Sequence, residues 1–265
     1  MTQHADLVRC ADYLDLMGEL SDESVDLIVA DPPYGIGYQN NYTSREHAPI
    51  IGDDGPFSYK RFAHEAYRVL KPNAAIFTFT GWSEYPKHYP ELAGAGFAMK
   101  EPVICQKRAS GKTDLYGTFQ TNADWVMFGH KGKFVFQPTQ LVRNKRAGTV
   151  PNIGRKPVPE WKTRFPSCWF GEEYPWASEN SAFQKQHNLY HPTIKGQRFV
   201  EWLIQLASPE GGTVLDPFVG SGTTAVAARN VGRRFIVGDV SPEYHAMTVR
   251  RLGALIDGYP RDREG

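Results

Sequence analysis

The sequence predicts an α/β fold in which helices cover both faces of a doubly wound, mostly parallel sheet. Short apolar runs such as Val25–Ala30 and Ala74–Thr80 are too short for helices and rich in β-branched or aromatic residues, which is typical of buried strands. Segments with helical spacing of apolar residues alternate with these runs along the chain. That alternation favours parallel strands connected by helices.

The elements are expected in the following order. Strands are predicted at residues 7–11, 25–30, 74–80, 97–106, 125–129, 213–215 and 234–238, and helices at 12–17, 57–70, 83–93, 198–207, 221–230 and 242–255. Lys71-Pro72-Asn73 is expected to end the second helix. Residues 35–56 lack periodicity and are interpreted as a long loop, either a lid or a plain surface loop. Residues 131–190 lose helical periodicity and are interpreted as an insertion into a scaffold formed by 1–130 and 191–265.

Composition excludes several classes of protein. The chain has 265 residues and 41% hydrophobic residues, which is ordinary for a folded domain. No apolar run approaches the roughly 18–20 residues of a membrane span, and the start lacks the apolar segment of a signal peptide, so a cytoplasmic location is expected. The three cysteines and eight histidines lack ligand spacing, so we expect no disulfide framework, no metal site, and histidines on the surface and in loops.

The charges are unevenly distributed although the net charge is only +1. Between residues 131 and 166 the only acid is Glu160. The bases of this segment, here called the basic segment, are Lys131, Lys133, Arg143, Lys145, Arg146, Arg155, Lys156, Lys162 and Arg164. This asymmetry is typical of a phosphate-binding surface, with a solvated loop as the alternative.

The first candidate motif is Asp31-Pro32-Pro33-Tyr34, directly after the strand at 25–30. Two prolines cannot continue a strand ladder, so the strand ends at Asp31. A carboxylate, a rigid turn and an aromatic ring therefore lie together at the carboxyl end of a strand, where open α/β sheets bind ligands.

The second candidate motif is Asp216-Pro217-Phe218-Val219-Gly220-Ser221-Gly222-Thr223, between a strand and a helix. The lysine of a phosphate-binding loop is missing, and Ala225 replaces the third glycine of the dinucleotide fingerprint. A nucleoside ligand without phosphates fits better than a nicotinamide dinucleotide. Asp216 would lie beside a cationic ligand, and Asp239, at the next strand end, would bond ribose hydroxyls.

These residues resemble the motifs of the DNA amino-methyltransferases. Asp31–Tyr34 resembles their catalytic motif, Asp216–Gly222 their S-adenosylmethionine motif, and His191-Pro192-Thr193-Ile194-Lys195 the segment before it. The order catalytic motif, target-recognition region, cofactor motif is that of the permuted beta group. One departure is Gly196, where the family usually has proline.

The resemblance implies a seven-stranded methyltransferase sheet, S-adenosylmethionine as cofactor and double-stranded DNA as substrate. It implies that Asp31, Pro32, Pro33 and Tyr34 hold the target base, and that residues 131–190 are the target-recognition region. The implied cofactor contacts are Asp12, Asp31, His191, Thr193, Lys195, Asp216, Pro217, Phe218, Gly220, Ser221, Gly222, Thr223 and Asp239. The basic segment would bind DNA phosphates. A homodimer and a cognate restriction enzyme are compatible with the resemblance.

The chemistry of an exocyclic amino group explains the first motif. Its lone pair is delocalised into the base, and two acceptors, the Asp31 carboxylate and the Pro32 carbonyl, can draw the nitrogen towards tetrahedral geometry. Positioning for in-line attack can supply roughly 7–11 kcal/mol of the barrier. Because a duplex hides this group, base flipping is expected. Adenine N6 is the predicted target, since cytosine-N4 members of the family more often carry serine at the position of Asp31. Cytosine N4 is the alternative, and an inactive DNA-binding module of the same fold is a second.

Overall fold

The computed structural model describes residues 6–33, 57–106, 123–137, 168–170 and 194–254. The strands are β1 Leu7–Cys10, β2 Val25–Ala30, β3 Leu70–Thr80, β4 Ala98–Met99, β5 Val103–Gln106, β6 Ala123–His130, β7 Cys168–Phe170, β8 Thr213–Asp216 and β9 Arg234–Asp239. The helices are α1 Tyr13–Gly18, α2 Tyr59–Val69, α3 Tyr85–Ala95, α4 Gln197–Ala207, α5 Thr223–Asn230 and α6 Pro242–Ala254.

The described strands form one sheet in the order β1-β9-β8-β2-β3-β6-β5-β7, with β4 also paired to β6. From β1 to β3 all neighbours are parallel, whereas β6 runs antiparallel to β3 and β5. The prediction of a doubly wound, mostly parallel methyltransferase sheet is confirmed. The described sheet has nine strands rather than seven because the short strands β4 and β7 join it beside β6 and β5.

Successive side chains along each strand point alternately into two apolar cores, one on each face of the sheet. Leu27 and Val29 of β2 enter the core of the first face, which α4 and α5 cover. Ile28 of β2 enters the core of the second face, which α1, α2 and α3 cover. Each such fully buried side chain contributes about 1.5–3 kcal/mol to the free energy of unfolding. The core therefore fixes which face each helix occupies.

The second helix ends one residue earlier than the sequence predicts, and a strand follows it at once. Helix α2 ends at Val69, and β3 begins at Leu70 and continues through Pro72. The reason is that Leu70 already pairs with Val25 of β2, while an irregularity in register accommodates Pro72 and the positive φ of 63° at Asn73. Lys71-Pro72-Asn73 thus follows the end of the helix, as expected, but forms part of strand β3.

The strand predicted at 97–106 is divided into β4 and β5. Pro102 lies between them and lacks the N–H group that a continuous ladder needs. Within the predicted insertion, residues 131–137 follow β6, and β7 extends the sheet parallel to β5. The loop predicted at 35–56 and the rest of 131–190 lie outside the described residues. None of the described helices is long and apolar enough to cross a bilayer.

Candidate active site

The two sequence motifs meet where the sheet reverses its winding. Strands β8 and β2 are parallel neighbours, with Ile28 opposite Leu215. The chain leaves β8 for α5 on the first face, whereas after β2 it covers the sheet with α2 on the second face. This is a topological switch point, and the crevice at its carboxyl edge is the usual ligand site of such sheets. Asp216 ends β8 and Asp31 follows β2, so both carboxylates lie at this edge.

Asp31 is held by an ion pair with Lys195. The Lys195 Nζ lies 2.8 Å from Asp31 Oδ2 and 4.9 Å from the centre of the Phe79 ring, and the side chains of Lys195 and Asp31 are 12% and 23% exposed. Lys195 precedes α4, which packs on the first face through Phe199, and this packing brings the ammonium over β3. The resemblance implies that Lys195 contacts the cofactor, and it did not predict the ion pair with Asp31.

The charges around Lys195 keep it cationic. Burial alone would lower the pKa of its ammonium, but the negative charges of Asp31 and Asp124 and the hydrogen bond to Asp31 raise that pKa above its ordinary value. Asp124 lies in β6, beyond the position at which Trp125 pairs with Thr80, and so at the same edge of the sheet. Sequence reasoning missed Asp124 because nothing in its local pattern marks it.

Asp216 is a buried carboxyl group with a perturbed pKa. It is 3% exposed, and its Oδ1 accepts a hydrogen bond from the Phe218 N–H over 3.0 Å. Burial raises the pKa of Asp216 to about 7, against the opposing effect of hydrogen bonds from Thr224 and Phe218, and the charge of Asp31 adds to the rise. A cationic group in the crevice would be attracted to this carboxyl group and would favour its ionised form.

The glycine loop, residues 217–222, connects β8 to α5. Gly220 and Gly222 have φ values of 49° and 84°, which glycine adopts without the strain that other residues incur. A Cβ atom on Gly222 would lie 3.0 Å from Thr248 Oγ1 and 3.2 Å from Thr248 Cα. The Thr248 hydroxyl also donates to the Gly220 carbonyl over 3.0 Å. Glycine at 222 therefore satisfies both a backbone conformation and a close approach of α6.

Asp239 connects two loops at the edge of the sheet. Its Oδ2 accepts from the Gly220 N–H over 3.0 Å and its Oδ1 from the Ser241 N–H over 2.9 Å. Burial raises the pKa of Asp239, while these two hydrogen bonds oppose the rise. The sequence predicted a ribose contact only. An ionised carboxylate has about four lone-pair sites, so both roles are compatible.

An aromatic cluster lies beneath the glycine loop on the second face. The Phe218 ring centroid is 5.3 Å from that of Tyr13, 5.5 Å from Phe57 and 5.3 Å from Phe62. Asp12, one of the implied cofactor contacts, caps α1 by accepting a hydrogen bond from the Leu14 N–H over 2.8 Å. This cap fixes Tyr13 at the start of α1. Only Phe218 of the cluster was singled out in the sequence, since the other rings come from distant elements.

A polar network supports the end of β3 beside Asp31. The rings of His88 and Tyr59 are stacked, with centroids 3.9 Å apart. His88 Nδ1 lies 3.1 Å from Thr80 Oγ1, and the Tyr59 hydroxyl donates to Thr78 Oγ1 over 3.1 Å. Burial lowers the pKa of His88 to about 4. The expectation that histidines lie on the surface and in loops is therefore wrong for His88, which is 7% exposed.

The remaining site residues fall into two groups. Pro32 and Pro217 are buried at the carboxyl edge, Pro33 is half-buried, and Ser221 Oγ lies 3.2 Å from Thr223 Oγ1 at the start of α5. The residues outside the described part of the chain are Tyr34, His191, Thr193, Arg143, Lys145, Arg146, Arg155, Lys156, Lys162 and Arg164.

Two members of the basic segment are described, and both lie at the opposite, amino edge of the sheet. Lys131 Nζ donates to the carbonyls of Tyr67 and Leu70 over 3.1 and 2.9 Å and forms an ion pair with Glu23 over 3.1 Å. The Lys133 N–H donates to Asn73 Oδ1 over 2.8 Å. Lys131 therefore supports the fold through internal contacts, and the position of both lysines at the amino edge argues against phosphate contacts for them.

The sheet order and the crevice at its switch point define an α/β methyltransferase fold. A family model for N6 and N4 methyltransferases, described as DNA methylase, matches residues 25–250. The chain belongs to this DNA methylase family, whose members depend on S-adenosylmethionine. DNA methyltransferase activity, with DNA as the substrate, follows from membership.

Individual relatives extend over nearly the whole chain. The type II methyltransferase M.HpaI of Haemophilus parainfluenzae is 29% identical over 258 residues, covering 94% of this chain and 75% of that protein. The crystal structure of the M1.HpyAVI–SAM complex matches with a TM-score of 0.62 at 18% identity, covering 92% of this chain and 98% of that one. PvuII DNA methyltransferase, described as cytosine-N4-specific, matches with a TM-score of 0.68 at 16% identity, covering 94% and 87%. At these identities the two structures show the fold alone.

Proposed function

We propose that the protein methylates the exocyclic N6 of adenine in a specific DNA sequence after flipping the base out of the duplex. The observation that carries this proposal is the Asp31 carboxylate, held at the switch point by Lys195 over 2.8 Å and backed by the prolines that end β2. A carboxylate accepts hydrogen bonds and cannot donate them, so its natural partner is an N–H group of an amino substituent.

The chemical groups that line the crevice fit S-adenosylmethionine. Asp216 offers a buried carboxyl group to the cationic methionine end of the cofactor. The glycine loop allows its backbone to approach the cofactor closely, and Asp239, at the end of the neighbouring strand, is proposed to bond the ribose hydroxyls. When bound, this cofactor supplies an electrophilic methyl group on a sulfonium ion. The residues proposed to contact the cofactor from the glycine loop and its immediate neighbours are Asp216, Pro217, Phe218, Gly220, Ser221, Gly222, Thr223 and Asp239.

The chain's own residues act on the amino group of the target base. The Asp31 carboxylate would accept a hydrogen bond from one N–H of the amino group and the Pro32 carbonyl from the other, so that the nitrogen lone pair is turned away from the ring system. As the nitrogen becomes cationic, a carboxylate about 4 Å away contributes roughly 4 kcal/mol at an effective dielectric constant near 20. Lys195 fixes the orientation of Asp31 from the side of the first face. Tyr34 is proposed to stack on the flipped base.

Cytosine N4 is the alternative target, and one structural neighbour is described as specific for it. The test is mass spectrometry of nucleosides from unmethylated DNA incubated with the protein and S-adenosylmethionine. N6-methyladenine is the expected product. N4-methylcytosine would overturn the choice of base, and DNA binding without either product would favour the inactive module.

The proposals for DNA binding and for the partners of the protein rest on the same proposed function. The basic segment apart from Lys131 and Lys133, which lie at the amino edge, is proposed to bind DNA phosphates, and residues 131–190 to recognise the target sequence. A homodimer, a cognate restriction enzyme and a cytoplasmic location stay predictions. Light scattering of the purified protein, alone and with a duplex that contains the methylated sequence, would test for the homodimer.

A further inference from the structure

Arg251 is a buried arginine near the end of α6 that no sequence motif singled out. Its side chain lies in the protein interior, with 5% of the residue exposed. Its Nη1 donates to the Ser221 carbonyl over 3.0 Å and to Thr223 Oγ1 over 3.0 Å. Its Nη2 donates to Gln197 Oε1 over 3.3 Å. One guanidinium group thus contacts both the glycine loop and the start of α4.

The first contact holds the cofactor loop. Thr248, one turn earlier on α6, donates to the Gly220 carbonyl over 3.0 Å. Together, Thr248 and Arg251 hold the backbone around Ser221, where the flanking glycines 220 and 222 would otherwise leave the loop conformationally free. Buried carbonyl groups that lose a donor are costly, so this arrangement is strongly preferred.

The second contact reaches the catalytic side of the crevice. Gln197 is the first residue of α4 and lies two positions after Lys195, whose ammonium pairs with Asp31. The Gln197 amide in turn donates to Glu201 Oε1 over 3.0 Å, and the same oxygen accepts from Asn230 over 2.8 Å. The start of α4 is therefore fixed relative to both ends of α5.

We propose that Arg251 is a positioning residue that couples the cofactor loop to the Lys195–Asp31 ion pair. The inference rests on the proposed function and deepens it, because the residues that bind the cofactor and those that orient the amino group would then adjust together. The planar guanidinium fork is essential to this role. It directs Nη1 and Nη2 to two separate groups, whereas a lysine ammonium in the same place is a single point on a flexible stem.

The test compares Arg251→Lys with Arg233→Lys in the full chain. Arg233 is a matched control, because it is 7% exposed and donates to Ser208 and Val231, at the amino edge of the sheet. For Arg251→Lys we expect the Kd for S-adenosylmethionine to rise roughly ten- to hundredfold, and kcat at saturating cofactor to fall at least about tenfold. Arg233→Lys should lower Tm while leaving Kd and kcat within about twofold.

Gln197→Met separates the two contacts. It removes the acceptor for Nη2 but leaves the Nη1 bonds to Ser221 and Thr223, so Kd should stay within a few-fold while kcat falls. This variant also keeps the test decisive if Arg251→Lys does not fold, since a wild-type kcat in Gln197→Met would overturn the coupling. Wild-type values in Arg251→Lys, or equal losses in Arg233→Lys, would overturn it as well. Failure of the wild-type protein to bind S-adenosylmethionine would instead overturn the proposed function, and the inference with it.

Discussion

Asp31 and Lys195 form an ion pair at the carboxyl edge of the sheet, and a second Asp–Lys pair lies at the amino edge. In the first, the charged atoms are 2.8 Å apart beside the glycine loop. In the second, Asp26 and Lys71 are also 2.8 Å apart, and Asp26 accepts from the Thr213 N–H over 2.9 Å. Both pairs connect neighbouring elements, but only the first lies where a base could enter. The same substitution in each pair therefore separates a loss of chemistry from a loss of stability.

Replacing Asp31 with asparagine should abolish most of the activity and spare cofactor binding. Asp31→Asn keeps the shape of the side chain but removes the charge that stabilises the developing cation, so kcat should fall about a thousandfold, the equivalent of roughly 4 kcal/mol. Single-turnover methylation measures the rate, and isothermal titration calorimetry measures cofactor affinity. Asp26→Asn is the control and should lower Tm with kcat unchanged. Full activity in Asp31→Asn would contradict the mechanism.

The raised pKa of Asp216 predicts how cofactor affinity depends on pH. Its folded value of about 7 lies above the ordinary 3.8, so the neutral form contributes stability that is complete below pH 3.8 and is lost as the pH rises through 7. A cationic ligand favours the ionised form and lowers this pKa on binding, so binding should release a proton below pH 7. Affinity for S-adenosylmethionine should therefore rise between about pH 5.5 and 7, by at most about tenfold per unit, and then level off.

Calorimetry in buffers of different ionisation enthalpy would detect that proton. Asp216→Asn is the matched variant, and its affinity should be weaker at neutral pH and nearly independent of pH over the same range. A wild-type affinity that stays constant across that range would show that Asp216 does not face the cationic part of the ligand.

At the scale of elements, the glycine loop depends on α6 as much as on its own sequence. The position of Gly220 and Gly222 between a strand and a helix predicted that they belong to a ligand-binding loop. It could not predict that Thr248 occupies the space beside Gly222, because that contact joins elements distant in the chain. For the same reason Lys195 and Asp31 were each recognised by their motifs, but the ion pair between them was not predicted. The local sequence pattern determines which segments form helices and strands. The packing of helices on the first face of the sheet then determines which ends of these helices and strands come into contact.

Gly222→Ala and Gly232→Ala form a matched pair for the role of this loop. Gly232 has a φ of 74° and open space within 4 Å of the position that a Cβ atom would take, whereas Gly222, at 84°, has Thr248 Oγ1 at 3.0 Å. Both substitutions should lower the free energy of unfolding by about 1–3 kcal/mol through backbone strain. Only Gly222→Ala should also weaken cofactor binding, by roughly tenfold or more. Thermal denaturation and equilibrium binding measure the two effects, and equal affinities in the two variants would contradict a role for Gly222 in the site.

At the scale of the whole molecule, one sheet carries both the proposed active-site crevice and part of the predicted insertion. Periodicity predicted most strands and helices to within a few residues. It failed at Leu70, which was predicted to end a helix but begins β3 by pairing with β2, and at β7, whose three residues show no pattern of their own. The charge asymmetry of 131–166 was readable from composition. The sequence did not show that the basic segment is divided, with part of it at the amino edge, because only the register of β6 with β3 places Lys131 there.

That division predicts the salt dependence of DNA binding. If about five bases of the basic segment contact phosphates, the slope of log K against log salt concentration should be near −4.5, so that affinity falls several hundredfold from about 50 to 200 mM salt. Replacing Arg143, Lys145 and Arg146 together with glutamine should reduce the magnitude of the slope by about 2.7, because each phosphate that is no longer neutralised accounts for about 0.9. Lys131→Gln should leave the slope unchanged and lower Tm, because Lys131 bonds internally to Tyr67, Leu70 and Glu23. Fluorescence anisotropy with a labelled duplex at several salt concentrations measures the slopes. A slope that changes in Lys131→Gln but not in the triple variant would place the DNA on the opposite edge of the sheet from Asp31, where its bases could not reach the crevice.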